Sequence, residues 1–195
     1  MFCDEHMKAP PGRRGGWLSA WKKKQAMAPS PMGTQHVQVP PYTDFSNVAP
    51  PGSSMKLYVG AKPPPDRELQ FDVVVLCAAE YQPARMTFRG ELVHCPIPDD
   101  ALSKEEIRQV LNTSSLVAAA IAAKKRVLVT CRAGINRSAL VAALALAKLT
   151  RMTPAQIMIH LREKRHPDCL FNTHFQTYLR RFVEGSRQIP PGRDR

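Results

Sequence analysis

The stretch Val127-Leu128-Val129-Thr130-Cys131-Arg132-Ala133-Gly134-Ile135-Asn136-Arg137-Ser138 constrains this chain more than any other. Its opening is a β-branched apolar run without polar alternation, the pattern of a strand buried on both faces of a parallel sheet. Arg126 to Thr130 reads as that strand, a seven-residue loop follows, and Ser138 to Leu149 reads as an apolar helix.

The same alternation recurs from Met55 onward. Lys56 to Val59 is a short strand ended by Gly60, and Phe71 to Leu76 is a buried parallel strand. Leu92 to Pro96 is a third, with Pro96 and Pro98 expected to end it. Ser103-Lys104-Glu105-Glu106 is a capping box. Beyond it Ile107, Val110, Leu111, Val117 and Ile121 keep helical spacing as far as Lys124-Lys125-Arg126, where positive charge suits a helix C-terminus. Thr153-Pro154 starts a helix to about Lys164, and Asn172 caps a last one to about Glu184. The fold class is therefore α/β, a mainly parallel central sheet flanked by helices.

A length of 195 residues suits one domain with tails. Residues 1–54 hold eight of the eighteen prolines and five of the ten glycines, and are expected to be a disordered basic tail. Trp17, Leu18 and Trp21 beside Lys22-Lys23-Lys24 are read as part of that solvated tail. The ordered domain is expected over 55–187, with a flexible end at 188–195. The longest apolar run, Ala139 to Ala147, is far shorter than the roughly eighteen residues a membrane span needs. With no signal-peptide apolar core at the N-terminus, a cytoplasmic protein is the expectation.

Lys and Arg number 28 against 16 Asp and Glu, a net charge of +12 that favours anionic partners: phosphorylated molecules, nucleic acid or an acidic membrane surface. The five cysteines are odd in number, scattered and free of C-x-x-C pairs, which argues against a disulfide framework or zinc ribbon. His94, His160, His166 and His174 lack metal-ligand spacing, so neither metal nor other cofactor is expected. One cysteine is left as a candidate reagent.

Cysteine followed six positions later by arginine carries little information alone, since about 0.4 such pairs arise by chance in this composition. Its setting between strand and helix makes it informative. A strand–loop–helix turn gathers backbone N–H groups at a helix N-terminus, which is an anion site. Those groups and Arg137 can hold Cys131 as a thiolate that attacks phosphorus in line. Arg137 offers a planar fork for two phosphate oxygens, which lysine would not reproduce. Arg132, Ala133, Gly134, Ile135, Asn136 and Arg137 would line the phosphate, with Gly134 letting the loop curl. Ser138 would donate to the sulfur and help it leave.

This C-x5-R loop resembles that of the cysteine-dependent protein phosphatases, and specifically the small dual-specificity group, over about residues 56–180. Lys56-Leu57-Tyr58-Val59-Gly60 looks like the group's opening strand. Leu161-Arg162-Glu163-Lys164-Arg165, with Asn172 and Phe175, looks like its closing helices. The resemblance implies hydrolysis of phosphate monoesters through a phosphocysteine, without metal, on a phosphorylated protein. It also implies an aspartate general acid on the loop before the long helix, where Asp99 and Asp100 both qualify. Spacing does not separate them; the Pro-Ile-x-Asp pattern ends at Asp99.

The group's usual histidine before the cysteine is Thr130 here, which removes one hydrogen-bond partner from the network supporting the ionised sulfur. Slower turnover is the expectation. Alternatives stay open. Asn136 before the arginine resembles RNA 5′-triphosphatases, so RNA or a small phosphoester is a second substrate class. A non-catalytic phosphate-binding module is a third reading. A rhodanese-like sulfurtransferase is the fourth, although its loop is shorter by one residue. Cys77 resembles the second cysteine that forms a reversible disulfide with the nucleophile in some phosphatases, or is simply a buried strand residue. Arg132 either enlarges the positive field at the mouth or is solvated. Arg162, Lys164 and Arg165 are read as a solvated basic helix end in preference to a docking patch.

Overall fold

Five strands make one sheet: β1 Phe45–Asn47, β2 Leu57–Ala61, β3 Val73–Ala78, β4 Glu91–Ile97 and β5 Val127–Cys131. Their order is β1-β2-β5-β3-β4, with β1 antiparallel to β2 and every other pairing parallel. Four helices follow, α1 Lys104–Ala122, α2 Arg137–Leu149, α3 Pro154–Lys164 and α4 Thr173–Gln188. This computed structural model describes residues 44–64, 68–86 and 88–188. The remainder of the expected tail, with Trp17, Leu18 and Trp21, and most of the expected loose C-terminus lie outside the described residues.

Burial explains the strand order. Every residue of β3 (Val-Val-Val-Leu-Cys-Ala) and of β5 (Val-Leu-Val-Thr-Cys) is buried, so these two pair at the centre, in register from Val73 opposite Val127 to Leu76 opposite Thr130. Alternate residues face opposite ways. Val59, Val73, Val75, Val127 and Val129 join one core with residues of all four helices, among them Val117, Leu140, Ile157 and Phe175. Val74, Leu76 and Leu128 form a second, smaller core with Leu69 and Phe71. That face is covered by Phe45, Tyr58, Met86 and Phe88. Phe45 meets Phe71 edge-on at 5.2 Å between ring centroids, and Tyr58 meets Phe71 at 5.3 Å.

The expected capping box forms, and a second one stands at Thr153. Ser103 Oγ accepts from the Glu106 amide while Glu106 accepts from the Ser103 amide, and Thr153 and Gln156 repeat the exchange. Each box satisfies two amides at a helix start that would otherwise lack partners.

Three details depart from the sequence reading. The sheet starts ten residues before Met55, because Phe45–Asn47 is drawn out of the expected tail to pair with Tyr58–Gly60. So short a strand has no periodicity to read; aromatic packing on Tyr58 and Phe71 holds it. Pro96 does not end β4 but sits within it. β4 is the sheet's edge, and the register shifts opposite Cys77, so a missing N–H costs no ladder bond there. Finally, α1 stops at Ala122, and Lys124 turns into the left-handed region at φ 63°. The basic triplet therefore lies beyond the helix.

Candidate active site

Parallel strands present their C-terminal ends to a common edge, where open α/β sheets carry their sites. β5 ends there with Cys131, and α2 begins six residues later with Arg137. Gly134 makes the turn between them possible. It sits at φ +71°, and a Cβ there would lie 2.5 Å from the backbone carbonyl carbon of Gly60. Two glycines thus let the loop lie directly on β2.

The curl aims donors at one sulfur. Cys131, 3% exposed, has its Sγ 3.2 Å from the Gly134 amide and 3.2 Å from Ser138 Oγ, both donating to it. The loop's carbonyls are turned the other way. Arg165 Nε donates to Gly134 O at 3.2 Å and its Nη2 to Ala133 O at 3.1 Å, while the Leu170 amide donates to Ile135 O at 3.1 Å. With carbonyls held behind, the amides of Arg132, Ala133, Ile135 and Asn136 have no acceptor among the described residues. Unpaired amides around a helix N-terminus form an anion cradle.

Arg165 corrects the expectation of a solvated basic helix end. Its side chain is 8% exposed, wedged between the loop and Asp44, whose Oδ1 is 2.8 Å away. Arg162 is also engaged, donating to Cys169 O at 3.1 Å. The Arg165 contacts have no sequence signature, since its partners come from distant segments.

Arg137 is 6% exposed and lies across from Glu80, donating from Nη1 at 2.5 Å and Nη2 at 2.8 Å. That bond from Arg137 holds the Glu80 carboxyl down to about 2, with the charge of Arg132 adding to the effect. Glu80 in turn raises Arg137 further above the usual arginine range. A guanidinium has five N–H donors. Glu80 takes the end of the fork; Nε, on its side, is buried without a hydrogen-bond partner. Sequence reasoning missed Glu80. Its one signal is position, two residues past the end of β3, and that carries weight only once β3 is known to lie beside β5.

Asp99 comes to the site and Asp100 does not. Asp99 Oδ2 lies 4.0 Å from Arg137 Nε and 3.4 Å from Asn136 Nδ2, whereas Asp100 Oδ1 accepts from the adjacent Ala101 amide. Asn136, 3% exposed, also accepts from the Asn172 amide at 3.4 Å and so ties the Asp99 loop to the start of α4. Thr130 is 1% exposed and its hydroxyl donates to Val75 O at 3.1 Å, bracing β5 against β3. Arg132 is exposed at the loop. Cys77 is fully buried on β3, beside β5.

The family model for the dual specificity phosphatase catalytic domain matches residues 55–184. No curated protein matches the sequence. Among solved structures, human DUSP28 superposes with a TM-score of 0.60 at 19% identity, covering 75% of this chain and 97% of that one. A mouse putative dual specificity phosphatase complexed with zinc tungstate gives 0.61 at 20% identity, covering 80% and 95%. PTPMT1 in complex with PI(5)P gives 0.58 at 14% identity, covering 75% and 99%. At these identities the superpositions establish the fold, and the family match over most of the described residues establishes that the chain belongs to the dual specificity phosphatases.

Proposed function

We propose that this phosphatase hydrolyses phosphate monoesters through a phosphocysteine formed on Cys131. The observation that carries the reading is the free side of the Arg137 fork. A buried Nε with no hydrogen bond, facing the Asp99 carboxylate at 4.0 Å beside unpaired loop amides, is a costly arrangement unless an anion completes it. A phosphate dianion there would accept from Nε and the loop amides while Glu80 keeps the guanidinium fixed, so little reorganisation accompanies the reaction.

The steps follow from the groups in place. The Cys131 thiolate attacks phosphorus in line, and Asp99 gives its proton to the departing ester oxygen. Arg137 and the amides of Arg132, Ala133, Ile135 and Asn136 bind the equatorial oxygens as charge spreads over them. Asp99 then takes a proton from water, which attacks the phosphocysteine. Ser138 donates to the sulfur as the S–P bond breaks and makes it a better leaving group. Asn136 orients Asp99 through its amide.

A phosphorylated protein is the substrate class the family favours. The Asn136 side chain is used within the site, bridging Asp99 and Asn172, which gives it a role that needs no RNA. The deciding experiment is a panel run on the full chain beside Cys131→Ser. It contains p-nitrophenyl phosphate, phosphotyrosine and phosphoserine peptides, triphosphate-ended RNA, a phosphoinositide and thiosulfate. Turnover of phosphoesters lost in Cys131→Ser is expected. Phosphopeptide binding without turnover would replace the enzyme by a binding module, and thiosulfate turnover would replace it by a sulfurtransferase.

A further inference from the structure

The four described cysteines are all free and buried, and three of them stand in one line. Cys131 ends β5; Cys77 follows Leu76, which pairs with Thr130, and so lies next to Cys131 on the adjoining strand. On the other side of β3, Leu76 pairs with His94 and Ala78 with Ile97, which leaves Cys95 and Pro96 opposite Cys77. All three thiols belong to the core on the helix side of the sheet. The row Cys131–Cys77–Cys95 therefore runs across β5, β3 and β4, perpendicular to the strands. Neighbouring strands are about 4.8 Å apart, inside the Cα separation of about 4.4–6.8 Å that a disulfide requires.

We infer that Cys77 and Cys95 form a second, dithiol site that takes over the oxidised state of Cys131, ending as a Cys77–Cys95 disulfide with Cys131 returned to its thiolate. The oxidant is a hydroperoxide such as hydrogen peroxide. Its point of entry is Cys131, whose sulfur lies at the anion cradle, whereas Cys77 and Cys95 have no exposure at all. The Cys131 thiolate attacks the peroxide, the O–O bond breaks and Cys131 becomes a sulfenic acid. The Cys77 thiol displaces its oxygen as water, forming Cys77–Cys131. The Cys95 thiol then attacks the Cys77 sulfur, and the electron pair of the broken bond leaves on Cys131, which takes up the Cys95 proton and releases it to solvent at the cradle. In sum, two thiols and one peroxide give one disulfide and two waters.

Exchange at sulfur requires attacking, central and leaving sulfurs in a line, and its rate depends on the thiolate character of the attacker and the stability of the leaving thiolate. The row sets the three cysteines side by side across adjoining strands. In the reduced protein bonds from Cys77 and Thr113 pull Cys95 down, and the one from Thr113 outlasts the oxidation of Cys77. Cys131 leaves onto two waiting donors, the Gly134 amide and Ser138 Oγ.

Trypsin places the cysteines in separate peptides: Cys3 in 1–8, Cys77 in 68–85, Cys95 in 90–104, Cys131 in 127–132 and Cys169 in 166–180. The reduced full-length chain is treated with one equivalent of hydrogen peroxide, alkylated with iodoacetamide and mapped without reduction. The expected product is a Cys77–Cys95 cross-link with Cys131 alkylated. Both Cys95→Ser and Cys95→Ala, each checked for folding by circular dichroism, are expected to lose that product and trap Cys77–Cys131. Wild-type protein that accumulates Cys77–Cys131 with Cys95 alkylated, joins Cys131 to Cys3 or Cys169, or leaves all thiols alkylated overturns the inference. Phosphoester turnover, measured on the reduced protein, reads the hydrolase assignment separately.

Discussion

Arg165→Met tests whether the phosphate loop is held open to anions from behind. The substitution keeps the apolar stem and removes a charged donor from two backbone carbonyls, Ala133 O and Gly134 O, both within 3.2 Å. A hydrogen bond from a charged group contributes about 1.5 kcal/mol or more, so the two together are worth about 3 kcal/mol. The ion pair to Asp44 adds little, because that carboxylate is 55% exposed. For a domain of this size, about 3 kcal/mol lowers Tm by about 10 °C. If the loss falls wholly on the curled loop, kcat/KM toward p-nitrophenyl phosphate drops by about 100-fold. Urea unfolding monitored by circular dichroism gives the first quantity and initial rates give the second. Asp44→Asn serves as the control, costing under about 1 kcal/mol and leaving kcat/KM within about twofold. Arg165→Lys falls between, since one ammonium lacks the planar fork that spans two carbonyls. Arg165→Met with an unchanged urea midpoint and unchanged kcat/KM would refute the argument.

Further expectations rest on single contacts. Asp99→Asn lowers kcat on p-nitrophenyl phosphate by about 100-fold or more, whereas Asp100→Asn stays within about twofold, read from initial rates. The bond from Arg137 holds the Glu80 carboxyl at about 2, below the usual carboxylate range, so its contribution is present in full above the unfolded value and vanishes as pH falls through the folded one. Because its side chain is 48% exposed, that contribution is about 1 kcal/mol, and Glu80→Gln should flatten stability between about pH 4.5 and 2 in acid titrations of the urea midpoint. Gly134→Ala forces a Cβ to 2.5 Å from the Gly60 backbone at a positive φ. A loss of about 2–3 kcal/mol in urea unfolding is expected, with phosphoester turnover falling to near background.

Much of this was legible without coordinates because it is local. The capping box at Ser103 and the N-cap at Thr153 form, and β3 and β5 are buried throughout as their composition requires. What stayed illegible depended on distant partners. Arg165 reads as one more surface charge until the loop 31 residues earlier is seen to turn its carbonyls toward it. Asp99 and Asp100 are equivalent by spacing, and separate only when one lies beside Asn136 and the other folds onto its own backbone. β1 was hidden because three residues carry no period.

By itself the sequence determined the strand, the loop and the helix that carry Cys131 and Arg137, because side-chain periodicity and glycine chemistry act over a few residues. Strand order decided the rest. Placing β5 between β2 and β3 brings Gly60 under Gly134 on one side. On the other it brings Glu80 onto Arg137, 57 residues away in the chain, and Cys77 beside Cys131. Such contacts exist only after the sheet has closed, since they are fixed by which hydrophobic edges pair and not by any neighbouring residue.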